Sequence, residues 1–211
     1  GRFFAFILLG MAVQDYVTLS MALFLNGIRE QQLMGTMEVT MLSPTPVPII
    51  LLCSSAWGYA FTSVRFLLYV LGGLVFGLDF SGANLTSFAL VMGMAMVSFA
   101  SLGILGAAVT LIIKQGSSIT ALLTGATLAL GGVAYPISVM PEWLQKVAVL
   151  LPFTHALAGV RKALMLGATP ADLTTELLVL VIFGLILFPV ALWVFDLALR
   201  RVKVTGTLGQ Y

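Results

Sequence analysis

The chain has 211 residues, 60% of them hydrophobic and 9% charged, with a mean hydropathy of +1.11 and a net charge of +2 at neutral pH. Soluble domains carry about 25% charged residues, so this chain lacks the charge to cover a water-exposed globule, and +2 is too small a balance to argue for a nucleic-acid partner. A single cysteine, Cys53, excludes a disulfide framework, and a single histidine, His155, excludes a two-histidine metal site.

Several apolar runs reach the roughly 20 residues needed to cross a bilayer, which predicts an all-α polytopic membrane protein with about five transmembrane helices. The first span covers about residues 3–25. It does not read as a cleavable signal, because the apolar run continues to Leu25 without a small-residue cleavage site. The chain opens almost inside this span, an arrangement that points to a preceding N-terminal portion. Gln14 and Asp15 lie near its midpoint, an expensive place for a carboxylate.

Next comes the one polar island, NGIREQQLMGTMEVTMLSPTPVP, residues 26–48. On a helical wheel Leu33, Met34, Met37 and Met41 share one side, and Arg29, Gln32, Thr36 and Thr40 share another. That pattern suits a helix over 28–42 lying on the membrane surface or against a partner. Pro44, Pro46 and Pro48 then stop it.

A second span, about 53–76 with apolar residues from Ile49 onward, contains Arg65. GLDFSGAN, residues 77–84, reads as a polar turn. A third span, about 85–113, is rich in small residues, and Lys114-Gln115-Gly116 turns it into a fourth, about 119–135. Residues 136–167 differ: Pro136, Pro141 and Pro152 divide them into two amphipathic pieces too short to cross, which reads as a helical hairpin dipping into one membrane face. Glu142 and Lys146 are i, i+4 on the first piece; Arg161 and Lys162 ride on the second. Thr169-Pro170-Ala171-Asp172 opens the last span, about 173–199, as a capping box with proline at the first helical position. The expected domain is single, over 1–211.

Five crossings place Arg29, Lys114, Arg200, Arg201 and Lys203 on one side and Arg2, Lys146, Arg161 and Lys162 on the other. The positive-inside rule makes the first side, with the polar island, cytoplasmic.

Enzyme chemistry has little to stand on. No lysine follows a glycine, so there is no Gly-Lys-Ser/Thr phosphate loop, and neither a G-x-S-x-G elbow nor an H-E-x-x-H pair occurs. His155 beside Thr154 reads as an interfacial or packed imidazole rather than a base. The chain is expected to bind no cofactor itself. Counted from the cytoplasmic boundary at about 1.5 Å per residue, Asp15 and Arg65 both lie roughly 16–18 Å deep, so they are placed to pair. Such a pair fixes helix register, or it lines a polar path for substrate or protons. Ser117, Thr120, Thr124, Thr127 and Gly131 form a polar stripe on the fourth span: either hydroxyls bonded back to their own helix or a path-lining face. Gly73-x-x-x-Gly77 and Gly103-x-x-x-Ala107 are small-xxx-small patterns that permit close helix approach.

Two stretches carry a family resemblance. REQQLMGTMEVTMLSPTP resembles the cytoplasmic segment of ABC-2 type permeases, with Glu30, Gly35, Thr36, Glu38 and Pro44 at the matching positions. YPISVMPEWLQKVAVLLPFTHALAGVRKALMLG, residues 135–167, looks like that family's extracellular re-entrant hairpin, with Pro141, Trp143, Pro152, His155 and Arg161 in its motifs. The resemblance implies six spans, of which the first is missing here. It makes 28–42 a coupling helix, with Arg29, Glu30, Gly35, Thr36 and Glu38 as its contacts to a cytoplasmic ATPase subunit. That partner would hold ATP and Mg²⁺. A second permease copy and membrane lipids are the other implied partners, and a prokaryotic plasma membrane the implied location. The implied function is a permease subunit exporting a hydrophobic or amphiphilic substrate (a drug, lipid or lipid-linked molecule). Two alternatives stay open: a proton-coupled secondary transporter using Asp15, and a non-transporting membrane assembly subunit.

Overall fold

The computed structural model describes residues 2–35, 45, 47–78, 80–113, 116–133 and 135–205. These form α1 (Arg2–Leu33), α2 (Val47–Val75), α3 (Leu85–Ile113), α4 (Gly116–Leu130), a short 3₁₀ turn (Ile137–Val139), α5 (Glu142–Val149), α6 (Pro152–Met165) and α7 (Thr174–Thr205). The protein is an all-α polytopic membrane protein. Among the described residues four helices are long and apolar enough to cross a bilayer, within Phe3–Gln31, Leu52–Val75, Leu85–Leu111 and Thr174–Val202. The α5–α6 pair, bent by 83° at Leu150–Leu151, qualifies as a fifth only when its two pieces are taken together.

Contacts between helix ends fix the topology. Arg161 of α6 reaches Phe6 near the start of α1 and Gly132 just past the end of α4. The Asn84 amide, at the start of α3, donates to the Ala163 carbonyl of α6 at 3.0 Å, and Lys162 of α6 pairs with Glu176 in the first turn of α7. One end of the bundle is therefore the hairpin side, where α1, α3 and α7 begin and α2 and α4 end. The other is the Gly35 side.

The core divides the same way. Toward the hairpin, Leu9, Val13 and Val17 of α1, Val91 and Phe99 of α3, Phe153 and Leu157 of α6 and Leu180 of α7 form one buried cluster. Toward the Gly35 side, Phe24 and Ile28 pack with Ile104, Ala107 and Leu111 of α3 and with Phe195 and Ala198 of α7. Lipid tails are as apolar as leucine, so close packing rather than water exclusion holds such helices together. Small residues carry that packing here. A Cβ on Gly103 would stand 2.6 Å from the Ser20 carbonyl oxygen of α1, and one on Gly159 would stand 2.9 Å from Val91 Cγ1.

Four boundaries differ from the sequence expectation. The segment 28–42 does not start a separate helix at Ile28, because 28–33 continue α1 without a break. α1 stops where Gly35 takes φ +67°, a left-handed conformation that glycine adopts without steric cost. Residues 36–44, with Thr36 and Glu38, lie outside the described residues, as do Lys114 and Gln115 of the expected turn. The fourth span, expected over 119–135, is a 15-residue helix ending at Leu130. At 1.5 Å per residue it is about 22 Å long, short of a roughly 30 Å hydrocarbon core. Gly132 (φ +76°) ends it, and bare Gly131 lets Phe153 of α6 press onto the backbone, since a Cβ there would fall 2.0 Å from the Phe153 ring.

Gly77 is a helix stop and not a packing position. With φ +81° it caps α2 as the Leu78 amide donates to Gly73 O (2.9 Å) and its own amide to Leu74 O (3.0 Å), the paired bonds of a Schellman ending. Finally, α7 starts at Thr174, not inside the 169–172 box. Residues 170–173 form a turn in which Asp172 accepts from both the amide and the hydroxyl of Thr169 (2.9 and 2.7 Å). The carboxylate half of a capping box is present. The Thr169 hydroxyl donates instead of accepting, so it caps no helical amide.

Candidate functional site

Asp15 and Arg65 meet. Arg65 Nη2 lies 3.1 Å from Asp15 Oδ2, and the Tyr69 hydroxyl, one turn beyond Arg65 on α2, donates to the same oxygen at 2.8 Å. The next residue of α1, Tyr16, makes a short hydrogen bond with Ser63 Oγ, two residues before Arg65 on α2, and Ser63 Oγ also bonds back to the Tyr59 carbonyl. Two residues chosen for depth are thus the core of a polar seam between α1 and α2, and the seam's tyrosines are additions to the sequence reading. Tyr69 carried a usable signal, its i+4 spacing from Arg65. The pair is not sealed: the Arg65 side chain is 47% exposed and that of Asp15 32%.

Farther toward the Gly35 side, the same α1–α2 seam opens into a cavity of about 350 Å³ lined by Leu19, Leu23, Asn26, Glu30, Ser54 and Ser55 among others. Leu19, one turn after Asp15, marks the end of the cavity nearest the ion pair, and its α2 wall lies at Ser54 and Ser55. Gly58 of α2 packs onto Leu23 along this seam; a Cβ there would fall 2.4 Å from a Leu23 methyl. Arg29 and Glu30 are exposed on the last turns of α1, and Gly35 is exposed as its stop.

The described part of the threonine stripe meets α1. Gln14 Nε2 donates to Thr127 Oγ1 at 3.0 Å, and Thr127 Oγ1 bonds back to the Thr124 carbonyl at 2.9 Å. Thr127 is buried at this helix contact and Thr124 is half-buried; the side chain of Thr120 lies outside the described residues. Thr127 therefore takes part in an α1–α4 junction, to which Thr124 contributes its carbonyl. Gln14 was visible beside Asp15 in the sequence, but nothing there told which helix it would reach.

In the hairpin, Pro141 is the N-cap of α5 and Pro152 occupies its first turn in α6, where a missing amide costs nothing. Trp143 is exposed. Thr154 and His155 close the bend: Thr154 Oγ1 donates at 2.6 Å to Ala148 O, which also accepts from the Leu151 amide, and His155 Nε2 lies 2.8 Å from Val149 O, so both side chains serve carbonyls at the C-terminus of α5. Arg161 is no surface group. It is half-buried, donating to Gly132 O (3.0 Å), Val133 O (3.2 Å) and Phe6 O (2.7 Å), with its guanidinium carbon 3.3 Å from the Phe6 ring centroid. Lys162 pairs with the buried Glu176 at 2.6 Å. The sequence singled out neither Glu176 nor Gly10, whose bare Cα admits the Arg161 guanidinium to the α1 backbone.

A multi-pass helical bundle with a bent helical pair on one face and a polar seam between two of its helices defines an integral membrane domain. The family model for the ABC-2 type transporter matches residues 3–165, and the chain belongs to that family. It is thus a permease component of an ABC transporter. A comparison with curated protein sequences finds no match.

Proposed function

We propose that this chain is the permease subunit of an ATP-driven exporter, moving a hydrophobic or amphiphilic substrate with energy from a separate cytoplasmic ATPase that holds ATP and Mg²⁺. The observation that carries this reading is the continuity of α1. At 32 residues it is about 48 Å long at 1.5 Å per residue, well beyond a roughly 30 Å core. One end is clamped by Arg161 of the hairpin; the other carries exposed Arg29 and Glu30 to Gly35, where the chain enters the segment holding Thr36 and Glu38.

A rigid helix of this kind carries a displacement at the Gly35 side to the hairpin without absorbing it, as rigid-body transitions require. The coupling contacts are then Arg29, Glu30, Gly35, Thr36 and Glu38, on the cytoplasmic side, with the hairpin outside. A second permease copy completes the transporter, in a cell membrane of prokaryotic type. Secondary transport by Asp15 has less support, because its carboxylate is already engaged by Arg65 and Tyr69.

The test is co-purification with a cytoplasmic P-loop ATPase of the source cell, followed by ATP hydrolysis and transport in vesicles. Glu30→Lys is expected to keep the permease folded while separating hydrolysis from transport. Unchanged complex formation and transport in that variant, or transport driven by a proton gradient without the ATPase, would overturn the proposal.

A further inference from the structure

We propose that the Asp15–Arg65 pair is the headgroup station for a zwitterionic amphiphile whose anionic group adjoins its chain and whose ammonium lies beyond it. This rests on the permease reading and names the substrate class of its intramembrane site. A charged side chain inside a bilayer is costly unless it faces protein or a polar cavity. Arg65 is nonetheless half-exposed near mid-helix, flanked on α2 by exposed Phe61, Val64 and Leu68. Next to the pair that surface is apolar, which is the character of a site for an amphiphile.

The pair itself selects the headgroup. Arg65 and Tyr69 both contact Asp15 Oδ2, leaving Oδ1 without a bond among the described residues, while the ion pair engages the Arg65 fork through Nη2, with the Tyr69 hydroxyl beside it. Asp15 and Arg65 together are neutral. A lone anion on Arg65 would stand close to the Asp15 carboxylate and leave a net charge in a low-dielectric region, and a lone cation on Asp15 would do the same beside Arg65. A zwitterion laid antiparallel meets both open edges and adds no net charge, and a guanidinium fork fits a phosphate or carboxylate bidentately.

Order along the ligand follows from exposure. Arg65 is the more exposed member of the pair, 47% against 32%, and stands among exposed Phe61, Val64 and Leu68, so the anionic group is the one next to the chain. The cavity on the Gly35 side comes nearest the pair at Leu19, one turn from Asp15.

The purified chain in a maltoside detergent tests this without any ATPase. Binding is compared for dodecylphosphocholine (phosphate next to the chain), a dodecyl sulfobetaine (ammonium next to the chain), dodecyl phosphate, dodecyltrimethylammonium and free phosphocholine. Wild-type protein is expected to prefer dodecylphosphocholine by about tenfold over each of the others, on the scale of one charge-assisted bond pair. Asp15→Asn and Arg65→Gln should each remove most of that preference. The exchange variant Asp15→Arg/Arg65→Asp, which keeps an ion pair and so guards against misfolding, should transfer the preference to the sulfobetaine.

Equal binding of all five probes would overturn the inference. So would unchanged preference in Asp15→Asn/Arg65→Gln, and tight binding of free phosphocholine would overturn the amphiphile assignment. Failure here with intact ATP-driven transport would leave the permease reading standing, and headgroup selection without ATP-driven transport would remove the exporter reading alone.

Discussion

Arg161 in the bent α5–α6 pair donates from Nη2 to the carbonyl of Phe6 in α1, 2.7 Å away, and stacks its guanidinium on the same residue's ring at 3.3 Å. The Phe6 carbonyl is reached because Gly10, one turn later, has no side chain: a Cβ there would lie 3.0 Å from Arg161 Nη2 and 2.8 Å from Val133 O. Hydrogen bonds to charged groups contribute about 1.5–3 kcal/mol each, and lysine cannot reproduce the fork. Arg161→Gln is expected to destabilise the protein by at least about 2 kcal/mol, with Arg161→Lys in between. Gly10→Ala should cost about 1–3 kcal/mol by overpacking and should couple to Arg161→Gln non-additively. Thermal unfolding in detergent measures all three; additive effects would show that Gly10 does not serve the guanidinium.

Gly103 sets the distance between α1 and α3. Its missing Cβ leaves room for the Ser20 carbonyl and the Phe24 ring, both 2.6 Å from where that atom would stand. Gly93 on the same helix has nothing within 4 Å of its own Cβ position. Gly103→Ala should therefore destabilise by about 1–3 kcal/mol. Gly93→Ala should be neutral or slightly stabilising, since alanine is the better helix former by about 1 kcal/mol. Equal midpoints for the two variants would place the α1–α3 contact elsewhere.

The first level of organisation is legible in the sequence because it is written in hydropathy. Long apolar runs, the paired prolines of 136–152 and the polar island at 26–48 mark the crossings, the bent pair and the exposed end of α1. Helix ends were less legible. Gly35 and Gly77 act through left-handed backbone, and a glycine four residues after another reads equally well as a packing motif or a stop. Side-chain partners are legible only where a rare residue type leaves few choices. Two charges deep in the bilayer, Asp15 and Arg65, had one obvious use for each other. Gln14, Thr127, Lys162 and Glu176 had many possible partners, and which helices adjoin is decided by three-dimensional packing.

The Gln14–Thr127 bond joins α1 to α4, where Thr127 accepts at 3.0 Å while donating to its own helix at 2.9 Å. Interhelical hydrogen bonds within membranes average only about 0.6 kcal/mol. Thr127→Val keeps the shape and removes the acceptor, so a loss of about 0.5–1.5 kcal/mol is expected. Gln14→Leu should be similar, and the double variant no worse than either single. A double-mutant cycle on unfolding free energy decides it. A sum of two independent losses would mean that the two side chains do not act as a pair.

Asp172, in the turn before α7, gives a pH signature outside the membrane spans. Its carboxylate accepts from the Thr169 hydroxyl and amide, and these two bonds hold its pKa below the usual aspartate range. A depressed folded-state pKa means that the stabilisation is complete above the ordinary aspartate value. It is lost as pH falls through the lower folded value. The 169–173 turn should accordingly stay protected from hydrogen exchange through mild acid and open only below the ordinary aspartate range. Thr169→Ala is expected to move the Asp172 titration, followed by carboxyl ¹³C NMR, back up toward that range, because the hydroxyl is its largest single stabiliser. In Asp172→Asn the acid-dependent opening of the turn should vanish. A turn that opens with the same pH profile in Asp172→Asn would assign the effect to another group.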